Sequence, residues 1–429
     1  MGKPGLLFLL VVWCMVCAVS GEVRTFRSPA FNLGPGDVEN KYYWMEMPSG
    51  HVGLKSFNGE VVGEDGNPVP LSEVYLHHWV AFKENVKKEG KKEIRSSPNA
   101  GTCQRKTLTQ FFGLGSETRR TDYYLPDPYV IETGNPKDIP EGFEERWMLN
   151  VHAIDTRGAV NPGHCLECRC ASYNVSVTEF GKKVPEEYIG GLECCIDGDH
   201  CALKEGVHGA KRNLYFQYTV EYFPMEKSLR PVRVYIFDVT DDRKSVEEVP
   251  RCKVEYNVPP CDPSNDIICR HEMHALAWLP EKKEVDVIYG VGHLHAGGVS
   301  ISLHGENGNK EICTANAVYG TGHEAGNETG YIVGMGSCYP EIGTLKIKPG
   351  ETLNLKSAYN SDELHTGVMG LVYLVVADPL PDNHRNPSFW TITAAVVSIA
   401  VAVAVIAVSL TRYAQLKRSD MGYESLDQA

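Results

Sequence analysis

The sequence lacks the features that mark several common classes of enzyme and binding protein. No long stretch has the 3.6-residue period of an amphipathic helix, which disfavours a helical bundle. The formal net charge is -13 and the Lys-rich run 83–92 is interrupted by Glu84 and Glu89, so nucleic acid is excluded as a partner. A Gly-rich phosphate loop and a nucleophile elbow are missing, which disfavours phosphoryl and acyl transfer. His271 and His274 are three residues apart, whereas the metalloprotease helix motif needs a spacing of four.

Long apolar runs are confined to the two ends of the chain. Residues 1–20 are typical of a signal peptide, because Lys3 gives a short positive start, Leu6–Val16 is apolar and Ala18–Ser20 supplies small residues for cleavage. The mature chain is expected to begin near Gly21.

The second apolar run predicts one transmembrane helix at 389–411, since an uncharged segment of this length can cross a hydrocarbon core of about 30 Å. Arg412, Lys417 and Arg418 follow it, and the positive-inside rule then places residues 412–429 in the cytosol. We therefore expect a single-pass type I membrane protein of the secretory pathway. Its ectodomain would be luminal or extracellular, at the plasma membrane or an endomembrane.

Short motifs agree with this topology. Tyr423 and Leu426 are the two anchor positions of a tyrosine-based sorting signal in the predicted cytosolic tail. Asn174 and Asn327 each begin an N-x-Ser/Thr sequon and are candidate glycosylation sites on the luminal side.

The cysteine pattern indicates disulfides. Of the 14 cysteines, Cys14 and Cys17 leave with the signal peptide, and an even number remains in an oxidising compartment. Six of them lie in a Cys-rich insertion at 163–201. With His164 and His200 nearby this insertion could be a zinc module, but the compartment favours a disulfide-stapled segment.

The region between the two apolar segments is expected to be all-β. Residues 214–222 alternate apolar with polar side chains, as in a half-buried strand, and 368–376 is a more continuous apolar strand. Gly, Pro and Asn clusters separate such runs, which is typical of sandwiches and jelly rolls. We predict two jelly-roll-like β-sandwich domains, at 21–250 and 251–380.

Five histidines lie in strand-like apolar sequence. His77 and His78 are adjacent in one such segment, and His152 lies in another. His293 and His295 continue an alternating strand, so period 2 places both imidazoles on one face. Each histidine alone has a structural explanation, but this arrangement predicts a metal site.

Met369 completes an ordered set of His-His, His, His-x-His and Met. The interval from His78 to His152 equals that from His295 to Met369. Neutral imidazoles with one thioether suit copper in both oxidation states, whereas zinc has little use for a thioether.

Two alternatives remain open. His365 shares strand parity with Met369 and could complete a His-only site, which would favour zinc or a different copper geometry. Met335 is a second thioether candidate, although its glycine neighbours and Cys338 suggest a turn pinned by a disulfide.

Three separated segments, Leu71–Val80, Gly330–Pro340 and Leu364–Tyr373, resemble the plant proteins named stress up-regulated Nod 19. The resemblance covers the predicted ectodomain. The name of that family records expression and implies little about chemistry.

The order of the histidines and the methionine also resembles, more distantly, the copper type II, ascorbate-dependent monooxygenases. That resemblance implies two jelly-roll domains with one copper each, two per chain, and ascorbate as a possible reductant. It implies an electron-transfer copper on His77, His78 and His152, an oxygen-binding copper on His293, His295 and Met369, and an active-site role for Tyr373.

The chain departs from this pattern at three points. The peptide-hydroxylating members have an arginine two residues before His-x-His, where this chain has Val291, so peptidylglycine is a poor substrate. The Cys-rich insertion lengthens the gap between His152 and His293. Joint ligation by His77 and His78 requires a bulge, because adjacent residues of a regular strand point to opposite faces.

We therefore hypothesise a copper-dependent, monooxygenase-like ectodomain that hydroxylates an unknown small-molecule or peptide substrate with O2 and a reductant. The alternatives are a non-catalytic copper-binding ectodomain on the same scaffold, and an interaction ectodomain in which the histidines are part of the core.

Overall fold

The computed structural model describes residues 21–381, apart from 104–106, 122, 263 and 265–267, and residues 396–412 apart from 402. The predicted signal peptide and the motif residues Tyr423 and Leu426 lie outside the described residues.

Strands dominate the described residues, as the alternating sequence patterns predicted. The first half contains β1 (Glu22–Arg27), β2 (Phe31–Leu33), β3 (Val38–Met45), β4 (Val52–Gly63), β5 (Val74–Lys87), β6 (Ile94–Ser97), β7 (Phe112–Leu114), β8 (Tyr129–Thr133), β9 (Phe143–Asp155), β10 (Arg212–Pro224) and β11 (Arg230–Pro231). The second half contains β12 (Arg233–Asp238), β13 (Tyr256–Val258), β14 (Arg270–Ala277), β15 (Val285–Leu294), β16 (Gly298–Gly305), β17 (Lys310–Tyr319), β18 (Ile332–Met335), β19 (Ser337–Cys338), β20 (Lys346–Ile347), β21 (Leu353–Asn360), β22 (His365–Val368) and β23 (Gly370–Ala377).

Helices are short in this part of the chain. Two α-helices, α1 (Pro162–Leu166) and α2 (Cys170–Tyr173), belong to the Cys-rich insertion, and three 3-10 helices span Ser116–Arg120, Leu192–Cys194 and Glu306–Gly308.

The strands form five sheets. In the first half, β1-β10-β4-β8-β11 with β2 makes one sheet and β3-β9-β5-β6 with β7 a second. In the second half, β12-β23-β15-β19 with β20 makes one sheet, β14-β21-β16-β17-β18 another, and β13-β22 a small third. Strand β12, which precedes residue 250, pairs with β23 and so belongs to the sheets of the second half.

An aromatic layer packs the two sheets of the first half face to face. Phe57 of β4 stacks on Trp79 of β5 at 4.9 Å between ring centroids and on Phe112 of β7 at 4.8 Å. Phe216 of β10 lies 5.2 Å from Trp79. Burial of each such side chain contributes about 1.5–3 kcal/mol, so this layer is a main source of stability for the first half.

Two strands follow the burial that their sequences predicted. In β10 the side chains alternate between buried and half-buried along 214–222, and all residues of β23 are buried. The strand predicted at 368–376 is interrupted, because Met369 lies between β22 and β23. The carbonyl oxygen of Met369 accepts a hydrogen bond from Tyr359 Oη at 2.5 Å.

The twelve cysteines outside residues 1–20 are all paired, as the compartment argument predicted. The six bonds are Cys103–Cys252, Cys165–Cys201, Cys168–Cys195, Cys170–Cys194, Cys261–Cys269 and Cys313–Cys338. Three of them lie wholly within the Cys-rich insertion, so its cysteines are structural rather than zinc ligands.

The chain divides into two compact units, one ending at Pro379 and one beginning at Leu380. The strands and disulfides described above all belong to the first unit, so its fold needs nothing from the second. In the second unit, residues 396–401 and 403–412 are helical. The predicted transmembrane helix at 389–411 is thus described only from residue 396, and among the described residues no helix is both long and apolar enough to cross a membrane.

The Cys-rich insertion is anchored to the second half by Glu255. Its carboxyl accepts hydrogen bonds from Leu192 N and Tyr188 Oη, both at 3.0 Å. Burial raises the pKa of Glu255 from 4.5 to about 7. The folded state therefore holds this proton more tightly than the unfolded chain does, and the contribution of Glu255 to stability is lost as the pH rises from about 4.5 to about 7.

The wild-type chain should lose about 2–3 kcal/mol of unfolding free energy over this pH range because Glu255 loses its proton. We expect Glu255→Gln to remove this loss. Denaturant unfolding of residues 21–379 at pH 4.5 and pH 8 measures it as a difference from the wild-type chain. Glu187→Gln, which changes an exposed carboxyl on the same insertion, should retain the wild-type dependence. Identical pH profiles for Glu255→Gln and the wild type would refute the assignment.

Candidate metal centre

Strands β5 and β9 bring His77, His78 and His152 together. The two strands are antiparallel, with His78 opposite His152, and their register shifts between Leu76 and His78. This irregularity at His77 is the bulge that joint ligation by adjacent histidines requires. One ring nitrogen from each of the three histidines lies within 4.8 Å of the others.

Strand β15 brings His293 and His295 to the same place from the second half. His293 is opposite Leu371 of β23, and His295 follows the end of β15. Their ring centroids are 5.1 Å apart. Both side chains are buried, as expected where one face of a strand meets the other half of the molecule.

The two sets of histidines form a single group, which we call the His cluster (His77, His78, His152, His293 and His295). The ring centroid of His77 is 4.6 Å from that of His152 and 4.6 Å from that of His295. The rings of His78 and His152 are 5.0 Å apart. The sequence-based hypothesis placed one metal in each half, whereas the structure brings both sets of candidate ligands together.

Four ring nitrogens of the His cluster are buried without a hydrogen-bond partner: His77 Nδ1, His78 Nδ1, His152 Nδ1 and His295 Nε2. An unsatisfied buried polar atom costs about 1–3 kcal/mol. Several such atoms of one type in one place indicate that something else binds them, and imidazole lone pairs bind transition metals. The residues therefore fit a metal ion.

In two of these rings, those of His78 and His295, the opposite nitrogen is held by a neighbouring group. His78 Nε2 donates to Asn150 Oδ1 at 2.8 Å, and the Asn150 amide nitrogen in turn donates to Asn40 Oδ1 and Lys41 O. His295 Nδ1 donates to Gly367 O at 3.1 Å. Such contacts fix the tautomer and leave the other nitrogen as a lone pair for a metal.

Burial disfavours the charged form of four imidazoles of the His cluster, namely His77, His78, His152 and His295. Burial first, and the neighbouring imidazoles second, hold the pKa of His77, His152 and His295 well below the ordinary value for histidine. Burial also lowers the pKa of His78 to about 4. Protons therefore compete little with a metal for these nitrogens at neutral pH.

Glu117 links the two halves at this point. It lies on the 3-10 helix Ser116–Arg120 and is fully buried, and its Oε1 accepts a hydrogen bond from His293 Nδ1 at 2.5 Å. Its Oε2 has no partner. A metal cation in the His cluster would stabilise a buried carboxyl at this position.

The close approach of the helix that carries Glu117 depends on Gly115. A Cβ at Gly115 would lie 2.5 Å from His77 O and 3.2 Å from the His293 ring. No sequence pattern pointed to Glu117, because it lies in a short irregular segment without periodicity.

Met369 and Tyr373 line a cavity of about 520 Å³ that also reaches His78 and His293. Both side chains are buried. The Tyr373 hydroxyl accepts a hydrogen bond from Gln110 Nε2 at 2.8 Å, and burial raises the pKa of Tyr373. The predicted thioether and tyrosine thus lie beside the His cluster.

The two alternative ligands lie elsewhere. His365 Nδ1 donates to Glu167 Oε1 at 2.7 Å, and the ring lines a different cavity of about 870 Å³. Met335 is in β18 and not in a turn, and it packs beneath Gly292 of β15. Cys338 is disulfide-bonded, as expected.

The sequon asparagines are both in surface loops. Asn174 is exposed and ends helix α2 in a left-handed conformation. Asn327 is half-buried, and its side chain donates to Glu324 at 2.7 Å.

Fold and site together define a mostly β protein of several sheets, in which strands of the first and second half meet at a buried histidine cluster. The family model of stress up-regulated Nod 19 matches residues 21–379, and the chain belongs to this family. A search among curated proteins gives no match.

Solved structures show only remote likeness. A protein of the Sulfolobus turreted icosahedral virus is 9% identical over 85% of this chain, with a TM-score of 0.16, and the match spans 62% of its own chain. The mosquito-larvicidal Cry4Aa toxin from Bacillus thuringiensis is 7% identical over 77% of this chain and 58% of its own, with a TM-score of 0.15.

We expect Glu117→Gln to weaken metal binding by the His cluster by about 10–100-fold, because the charge that orients His293 is lost. Titration of the metal-free chain with Cu²⁺ measures this directly. Glu60→Gln is the matched control, since Glu60 pairs with Arg119 of the same 3-10 helix. Equal affinities in the two variants would show that Glu117 has no role in metal binding.

Proposed function

We propose that the His cluster binds copper and that the protein is a copper-dependent, monooxygenase-like oxidoreductase. The observation that supports this most is the convergence of the ring nitrogens of His77, His78 and His152, with the unpartnered Nε2 of His295 on a neighbouring ring. Copper is favoured over zinc because the thioether of Met369 lines the cavity that reaches His78 and His293. The motif resemblance described from the sequence favours the same metal.

Bound copper would supply one-electron redox chemistry and O2 activation for hydroxylation of a substrate C–H bond, with a reductant such as ascorbate. The protein's own groups would prepare the site. Asn150 orients His78, Glu117 orients His293, and the Gln110–Tyr373 hydrogen bond fixes the tyrosine hydroxyl at the cavity wall. The cavity would admit a substrate while the surrounding β-sheets exclude bulk water.

A second candidate is a non-catalytic copper-binding protein on the same scaffold. The near-complete burial of His77 and His152, which are 1% and 0% exposed, favours it, because a closed site retains a metal without using it. The cavity beside His78 and His293 favours catalysis, since a storage site needs no such opening. An interaction protein with merely structural histidines leaves the unpartnered nitrogens unexplained.

The finer architecture also belongs to this proposal. Two jelly-roll-like domains, a transmembrane helix at 389–411 and a luminal or extracellular ectodomain would place the His cluster in an oxidising compartment. The six disulfides support this location, because such bonds persist mainly in secreted and extracellular proteins.

Metal content tests the shared cluster. Because the two sets of histidines are in contact, we expect His78→Ala and His295→Ala each to remove most of the copper from residues 21–379. His271→Ala changes a histidine of β14 outside the His cluster and should leave the copper content unchanged. Mass spectrometry of the metal in desalted protein measures the ratio of copper to protein. Loss of half the copper in each variant would instead indicate two separate sites, and no loss would exclude the His cluster as the ligand.

Oxygen uptake tests catalysis. With copper and ascorbate present, we expect O2 consumption that falls at least tenfold in Met369→Ala but is retained in Met335→Ala, a buried methionine outside the cavity. Circular dichroism verifies that both variants fold. Copper binding without O2 consumption, with ascorbate or any other reductant, would favour the non-catalytic alternative.

A further inference from the structure

The cavity that reaches the His cluster has a distinctive lining, and we call it the side cavity. Its inner end is formed by His78, His293 and Met369. Its volume of about 520 Å³ lies within the range of roughly 300–1,000 Å³ that is typical of small-molecule sites. The cavity is therefore large enough for an organic molecule of drug size.

Aliphatic side chains form much of the inner wall. Val80, Leu114 and Leu371 line it, and each projects from a strand that also contributes to the core. Such a wall gives no directional contacts and favours apolar groups in proportion to the area that they bury.

Aromatic side chains surround the mouth. Tyr42, Phe82 and Phe180 line the side cavity there, and the rings of Tyr42 and Phe82 are 6.2 Å apart. Tyr42 is 63% exposed and Phe180 is 85% exposed. Phe180 is on the Cys-rich insertion, within the turn in which Gly181 N donates to Thr178 O. Exposed aromatic rings beside a cavity are available to stack on a ligand.

Charge is sparse around the side cavity. Among the described residues that line it there is no arginine, and Lys253 and Glu193 are exposed at its edge. Glu255 already binds two groups of the insertion, and burial raises its pKa to about 7, so near neutral pH it carries only part of a charge. Gln110 and Asn150 are uncharged polar groups near the His cluster.

We propose that the side cavity binds a neutral, largely apolar small molecule that contains an aromatic ring. The claim that this ligand is the substrate rests on the proposed function. The claim that the side cavity binds it needs no metal. The ring would stack against Phe180 and Tyr42 at the mouth, and the rest of the molecule would extend along the aliphatic wall toward His78 and His293. An anionic group that reached the inner wall would bury its charge without a cationic partner there, because Lys253 is exposed at the edge of the cavity.

Two fluorescent probes with the same aromatic framework test the proposal. N-phenyl-1-naphthylamine is neutral, and 1-anilinonaphthalene-8-sulfonate differs from it chiefly by one sulfonate. We expect metal-free residues 21–379 to bind the neutral probe saturably, with one site per chain, and to bind the sulfonate at least tenfold more weakly. Equal affinities, or no binding of the neutral probe by folded protein, would overturn the proposal.

Variants show whether the probe occupies the side cavity. Thr109→Trp places a large ring at a half-buried loop position of the lining and should abolish binding. Phe180→Ala should weaken binding about five-fold, because a stacking surface is lost. Ile189→Ala is the matched control, as Ile189 is also an exposed apolar residue of the insertion but does not line the cavity. Unchanged binding in both Thr109→Trp and Phe180→Ala would overturn the assignment to this cavity.

The probe-binding experiment and the oxygen-uptake experiment can succeed or fail independently of each other. Probe binding is measured on metal-free protein and does not depend on turnover. Neutral-probe binding together with an absence of oxygen uptake would refute catalysis but retain the ligand class. Oxygen uptake without neutral-probe binding would retain catalysis and refute the ligand class.

Discussion

The hydrogen bond between Glu117 and His293 is the interaction on which the architecture of the site depends. Glu117 is fully buried in the first half and His293 belongs to a strand of the second. His293 Nδ1 donates to one oxygen of the Glu117 carboxyl, and the other oxygen, Oε2, is buried without a hydrogen-bond partner among the described residues. A metal cation held by the neighbouring imidazoles would offset the cost of burying such a group. This contact therefore supports the metal hypothesis together with the number of histidines.

The Cys-rich insertion holds the opposite side of the His cluster in place. Cys195 Sγ lies 3.5 Å from His152 Nε2, and Arg169 donates to Leu364 O at 2.5 Å, just before β22. Glu167 binds His365 of that same strand. The three internal disulfides close loops of 36, 27 and 24 residues, each worth about 2–4 kcal/mol. A small segment with little core of its own can therefore support Gly367, whose carbonyl orients His295.

Local sequence pattern predicted the parts of this site that depend on strand periodicity. The period-2 spacing of His293 and His295 placed both on one face, and the adjacency of His77 and His78 required the irregularity that β5 has. Pairing of the cysteines followed from their even number and compartment.

Contacts between distant segments were not predictable in this way. Nothing in the sequence between His152 and His293 fixes the distance between the two halves. The grouping of the two sets of histidines into one cluster is therefore seen only in the three-dimensional structure. The roles of Glu117 and of Glu167, the partner of His365, were not predicted either, because single residues in irregular segments give no periodic pattern. The interruption at Met369 arises because Tyr359 takes its carbonyl out of the sheet.

The burial of the His cluster and the character of the side cavity are two consequences of one constraint. Imidazoles bind a metal in their unprotonated form, and apolar surroundings disfavour the charged form. The buried strands β15 and β23 provide such surroundings. An opening through such surroundings has a largely apolar inner wall, which disfavours charged molecules before they reach the histidines. Specificity for a neutral ligand then needs no dedicated recognition residue: it follows from the dryness that keeps the imidazoles unprotonated.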